Sequence, residues 1–115
     1  MTTQARAKAD GSPVPDMVEK IPALRPSTTE VVAYDAAAAT TVAFGSDVTV
    51  LRIMSNTDCH YKLGSAPTAT TSDVPLPANV VEYVAIIPGV DKISFIKQAA
   101  SSAGNAWVSQ CGGAA

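Results

Sequence analysis

Aromatic side chains are scarce in this chain: Phe, Tyr and Trp make up 5% of its 115 residues, with a single Trp. A core with so few of them is a layer of small and β-branched side chains rather than an aromatic-lined ligand pocket. Histidine occurs once, at His60, and cysteine twice, at Cys59 and Cys111. Two cysteines are too few to frame a disulfide scaffold, and this set matches no familiar zinc spacing. In a reducing compartment the two thiols are expected buried or half-buried, although neighbouring strands would leave a bridge open to them. Charge of one sign is also missing. Eight Lys and Arg against ten Asp and Glu leave a net charge of −2, so no basic face predicts a nucleic-acid partner. No apolar run is long enough for a membrane span, which predicts no membrane partner. The first residues, MTTQARAKADGSPVPDM, carry no apolar stretch of signal-peptide type. The expectation is a chain made and kept in the cytosol unless carried out inside an assembly.

What is present divides into an arm, a body and a tail. The length supports one small domain that can fold without covalent staples. Residues 1–28 hold Gly11, Pro13, Pro15, Pro22 and Pro26, which interrupt helices and remove sheet donors. A short helical turn around Asp16–Lys20 is the most they allow. Yet Val14, Met17, Val18, Ile21 and Leu24 are spaced along this stretch, and a solvated tail gains nothing by exposing them. The reading is an extended N-terminal arm with those five residues as partner contacts. Residues 29–112 form the body, and 113–115 a short C-terminal tail.

In the body, β-branched and aromatic residues gather in short runs separated by Gly, Ser, Asn or Asp. Strands are expected at Thr29–Tyr34, Thr40–Phe44, Asp47–Met54 and Asp58–Leu63. After a long loop over 64–79, further strands are expected at Val80–Ile87, Lys92–Lys97 and Asn105–Cys111. Turn chemistry at 88–91 (PGVD) and 101–104 (SSAG) separates the last three. The fold class is all-β: a small antiparallel β-sandwich or barrel of six to seven strands. Ala36–Ala39 is read as loop.

Alternation assigns faces. Cys59, Tyr61 and Leu63 point inward, with His60 and Lys62 outward. Val81, Tyr83, Ala85 and Ile87 share a face opposite Glu82, whose charge is placed outward. Ile93 and Phe95 are the inward pair of their strand. Val48, Val50, Leu51 and Ile53 break strict alternation, which calls for a β-bulge near Val50–Leu51 or for cover on both faces.

Catalytic chemistry finds no foothold in this pattern. Cys59 and His60 are adjacent strand residues that project to opposite faces, so they cannot pair as nucleophile and base. No other histidine can take that place. Cys59 reads as a small core residue and His60 as a surface side chain beside Lys62. Asp47, Asp58, Asp73 and Asp91 sit at strand ends and turns, where Asp bonds to the backbone; a calcium site at one end of the sandwich is the sharper alternative. Glu30, Asp35 and Glu82 are the acids left for a glycosidase pair, with Trp107 the lone aromatic platform. GSAPTATTS has one glycine and no lysine placed for phosphate. No catalytic, cofactor or metal residue is assigned.

The segment Asp58–Ile96 carries a series of turn and strand motifs. They are CHYKLG at 59–64, SAPTAT at 65–70, LPA at 76–78 followed by EY at 82–83, and PGVDKI at 88–93. With the closing NAWVSQC, this series resembles small virion proteins of tailed bacteriophages, and the likeness covers most of the chain after the arm. It implies a capsid cement, decoration or head-fibre subunit with a β-sandwich body. Its partners would be the major capsid protein and other copies of itself, a trimer first. Its place would be the outer capsid surface of the virion, after synthesis in the host bacterial cytoplasm. The arm is where the chain departs from the family pattern, which bears on partner contacts. The motifs also have their own physics: Ala66–Thr70 and Pro75–Ala78 fix an extended path with few donors, and Leu76 is expected to plug the open end of the sandwich. An alternative reading is a tail or fibre module that binds host surface glycan through Trp107, Tyr61 and loop 64–79.

Overall fold

The computed structural model describes residues 24–112. Strands form where β-branched and aromatic residues cluster, and they stop at Gly, Asn, Asp and Pro. Eight are present: β1 (Arg25–Tyr34), β2 (Ala39–Thr40), β3 (Val50–Ser55), β4 (Cys59–Gly64), β5 (Val74–Leu76), β6 (Glu82–Ala85), β7 (Lys92–Lys97) and β8 (Gly104–Gly112). They make two antiparallel four-stranded sheets. The front sheet has the order β1-β8-β3-β6 and the back sheet β2-β7-β4-β5. The all-β sandwich expected from the strand pattern is therefore the fold.

One core lies between the sheets. The front sheet contributes Leu51, Ile53, Ala106 and Val108, and the back sheet Ile93, Phe95, Leu76 and Cys59, all essentially without solvent exposure. Phe95 is at its centre, with ring centroids 6.3 Å from Tyr34 and 6.4 Å from Tyr61. Burying one such large side chain contributes about 1.5–3 kcal/mol, so the few aromatics are concentrated where they count most.

Hydrogen bonding ties the ends. Tyr34 donates its hydroxyl to the Thr57 carbonyl at 2.9 Å, and the Asn105 amide donates to Asn56 Oδ1 at 2.8 Å. At the β6–β7 reversal, Val90 N–H bonds the Ile87 carbonyl at 3.2 Å and Gly89 has φ 74°. That is the left-handed position a Pro-Gly turn requires, and a Cβ there would be strained.

Several expectations need correction. The long loop is shorter than expected, because Val74–Leu76 pairs with Cys59–Tyr61 as β5. Leu76 is accordingly a fully buried core residue on a strand, not a plug over the open end. The Thr40–Phe44 strand contracts to two paired residues, Ala39 and Thr40. β1 starts early, so Arg25–Thr28 open a strand rather than close the arm. No bulge interrupts β3: Leu51, Ile53 and Ser55 face inward in strict alternation. The register shift falls in β1 instead, between Pro26 and Thr29.

The face of β6 is reversed from the reading above. The pairings Leu51↔Val84 and Ile53↔Glu82 place Val84 and Glu82 on the inner side. Val81, Tyr83 and Ile87 are exposed. Counting apolar residues chose the wrong side because this edge strand is more apolar outside than inside. His60 is also corrected: it is buried, not a surface side chain.

His60 is covered because the 65–73 segment runs as a strap over the outer face of the back sheet. Ala69 N–H donates to Ser94 Oγ at 3.0 Å, and Thr40 Oγ1 donates to the Pro67 carbonyl at 3.2 Å. His60 Nδ1 lies 3.1 Å from the Asp73 carbonyl. A carbonyl oxygen only accepts, so this nitrogen carries the proton. Pro67, Ala69 and Ser94 are all buried beneath or within the strap. The back sheet is thus covered on both sides, by the core and by its own chain.

Candidate functional site

The front sheet is the contrast. Register places its outward residues in rows. Val31, Trp107 and Met54 form one row; Thr29, Ser109, Arg52 and Tyr83 the next; Pro26, Cys111, Val50 and Ala85 a third. Arg52 is the one charged side chain in these rows. Val31 and Tyr83, at opposite edges of the sheet, are each 55% exposed, whereas the small Ser109 and Cys111 in the middle are buried. Trp107 and Met54 are half-buried. Among the described residues, the side-chain hydrogen bonds of this face stay within the sheet: Thr29 Oγ1 and Ser109 Oγ are 2.8 Å apart, and Ser27 Oγ donates to the Gln110 carbonyl at 3.2 Å. Past β6 the apolar surface continues through Val81 and Ile87, the latter 60% exposed. Large exposed apolar patches of this kind mark interaction surfaces rather than ordinary solvent-facing sheet.

Of the five arm residues assigned as partner contacts, Val14, Met17, Val18 and Ile21 lie outside the described residues. Leu24 is described. It is 42% exposed, immediately before β1 at the edge of the front sheet. Residues of the glycan reading are not brought together. Trp107 is on the outer face of the front sheet, Tyr61 points into the core, and residues 65–73 lie over the opposite sheet. Sequence reasoning missed the front face because its members come from four strands that are distant in the chain. The available signal was β6 itself, where the better apolar stripe is the outer one.

Elsewhere the titratable groups have structural employment. Tyr61 donates its hydroxyl to Glu82 Oε1 at 3.1 Å. Burial, then the Glu82 charge and this bond, push the Tyr61 phenol up to about 12. Glu82 is therefore an inward acid at the margin of the core, contrary to its expected outward charge. Burial likewise raises the Cys59 thiol, which opposes thiolate formation. Cys59 and Cys111 are free and belong to different sheets, so the side-by-side placement that a bridge needs does not arise. Asp58 accepts from Ala78 N–H at 2.8 Å, Asp73 from Thr70 N–H at 2.7 Å and Asp91 from Ile87 N–H at 2.9 Å. These acids hold turns. Among the described residues no three His, Cys, Asp or Glu side chains gather as a metal-ligand set.

Two hollows stand out among the described residues. A wide one of about 410 Å³ at the end of the sandwich is bordered by Tyr34, Asp35, Gly104 and Asn105. Asp35 there is bonded to its neighbour Ala36 N–H at 2.8 Å, so its carboxylate is already engaged. A smaller one of about 150 Å³ lies against Asp58, Pro75, Pro77 and Gln98. Cys59 also borders the smaller hollow, beside Asp58, but burial first and then the Asp58 charge raise its thiol, and the Asp58 carboxylate is bonded to Ala78 N–H. No family model matches the chain, and no curated protein or solved structure matches it.

Proposed function

We propose that this protein is a structural component of a tailed-phage virion, a cement or decoration subunit on the outer capsid surface. It binds between major capsid protein subunits, associates with copies of itself as a trimer, and works by covering surface rather than by converting a substrate. The observation that carries this reading is the apolar outer face of the front sheet, next to the point where an apolar, proline-rich arm begins. The motif likeness of Asp58–Ile96 to small virion proteins supplies the capsid context.

The physics is additive burial. A stable interface covers about 1,200 Å² or more in total. Ordering an arm costs on the order of 1 kcal/mol per fixed residue, and prolines lower that cost by limiting the free states. A rigid sandwich face adds area with no backbone ordering at all. Symmetric closure then sets the copy number of the oligomer.

The test is co-sedimentation with empty phage heads. The full chain is expected to pellet with heads and to raise the temperature at which they rupture. A chain with Met17→Asp and Val18→Asp is expected to stay in the supernatant. Undiminished binding by that variant would remove the arm from the mechanism, and no binding by either protein would remove the capsid role.

A further inference from the structure

We propose that the outer face of the front sheet is the seat for residues 14–24 of a neighbouring copy of this chain. The proposal rests on the self-association part of the reading above and on no part of its capsid context.

The fold supplies the first reason. The two sheets differ in how their outer faces are finished. The back sheet is closed by the 65–73 strap, which buries Pro67 and Ala69 and bonds to Ser94 and Thr40. The front sheet has the more apolar outer face, and there, among the described residues, the side-chain hydrogen bonds stay within the sheet. Its exposed margin residues Val31 and Tyr83 stand to either side of Trp107 and Met54. A covering segment would remove both margins from water, as the strap does for the other sheet.

The second reason is length and chemistry. The chain before β1 holds 23 residues and Leu24, and it meets the sheet at the edge of this same face. Residues 14–24 read VPDMVEKIPAL. Val14, Met17, Val18, Ile21 and Leu24 recur every three or four positions, so apolar side chains run along the whole segment. Fully extended, eleven residues reach ~36 Å, whereas four strands at their usual spacing span only ~15 Å. The segment is long enough to cross the face. Its charged residues are Asp16, Glu19 and Lys20, one net negative charge, and the face presents Arg52 between Ser109 and Tyr83.

The third reason selects a neighbour over the chain's own sheet. To lie on its own face, the arm must reverse direction between Ile21 and Arg25. Both of those residues precede a proline, Pro22 and Pro26, and the residue before a proline is driven to an extended conformation. Extended backbone at both positions opposes a tight fold back onto the chain's own sheet, which favours the next copy as the seat.

Trp107 lies on the face and is the sole Trp in the chain, so its emission reports cover directly. The experiment follows that emission and the light-scattering mass of the full chain through a dilution series. The expected result is a blue-shifted emission and an oligomeric mass that are lost together on dilution. Met17→Asp with Val18→Asp in the arm, and separately Val31→Asp on the face, should each give a monomer with red-shifted emission and a cooperative melt. If either variant loses its melt, a synthetic peptide of residues 12–26 added to the diluted wild type replaces it. Saturable return of the blue emission supports the seat, and no response overturns it. Blue emission that survives dilution to monomer would mean the arm covers its own sheet, and overturns the neighbour assignment. An oligomer unchanged by the arm variant would mean the faces meet each other directly, and overturns the proposal. Heads take no part in this readout, so a chain that associates this way yet ignores heads overturns only the capsid reading.

Discussion

Phe95 illustrates how much of this small body depends on single side chains. It is fully buried on β7, facing Tyr34 across the core and lying beside its cross-strand neighbour Tyr61. Phe95→Ala removes the largest wholly buried side chain, and such truncations cost about 3–5 kcal/mol. Domains are stable by about 5–15 kcal/mol in total. Denaturant unfolding of the variant should therefore show a large loss of midpoint with the slope retained; a loss under about 1 kcal/mol would mean the core closes over the gap. Tyr61 makes a different prediction. Its phenol is raised in the fold from an ordinary 10.0 to about 12, so the folded state holds that proton longer than the unfolded chain. The associated stability is complete below pH 10 and is lost as pH rises toward about 12. Glu82→Gln removes the neighbouring charge and should bring the last-titrating phenol to lower pH, read by phenolate absorbance. An unchanged titration would leave burial as the whole cause.

At the scale of elements, the strap over the back sheet is the feature most open to test. Asp73 holds the turn that closes the strap through Thr70 N–H, and that bond, aided by Lys62 and His60 nearby, keeps the Asp73 carboxyl below the usual range. A lowered carboxyl supports the fold above the ordinary carboxylate range, and the support is lost as pH falls through its lowered value. Asp73→Ala should speed hydrogen exchange at the Thr70 and Ala69 amides while the core strands keep their protection. Equal loss across all strands would mean that the strap and the body open as one unit.

The strap also shows what was legible in the sequence. Strands β1, β3, β4, β7 and β8 were visible as β-branched runs between turn residues, and β7 begins and ends where expected. β5 was hidden, because three residues with a central proline inside a Ser, Thr and Pro-rich stretch carry no strand signal of their own. Only pairing with Cys59–Tyr61 makes Val74–Leu76 a strand. The β6 error has the same root. Alternation gives two sides but not which is inward, and the inward side was set by register with β3. His60 was misjudged because cover by a loop distant in the chain is a tertiary fact with no local pattern. The apolar outer face of the front sheet was invisible for that reason too, since four strands that are not neighbours in the chain assemble it.

For the whole molecule, two sheets share one core, one outer face is strapped by the chain itself, and the other is left apolar. Among the described residues, Asp58, Asp73 and Asp91 hold turns, and both thiols are buried. Under the proposed function, such a body is covered by its own copies and by a lattice that repeats. The most direct measurement of the proposed capsid role is the amount of this protein, relative to the major capsid protein, in purified virions of a phage whose genome carries its gene, by quantitative mass spectrometry. The account predicts a copy number in fixed proportion to the capsid lattice. A handful of copies per particle, as at a tail or a single vertex, or none at all, would contradict it.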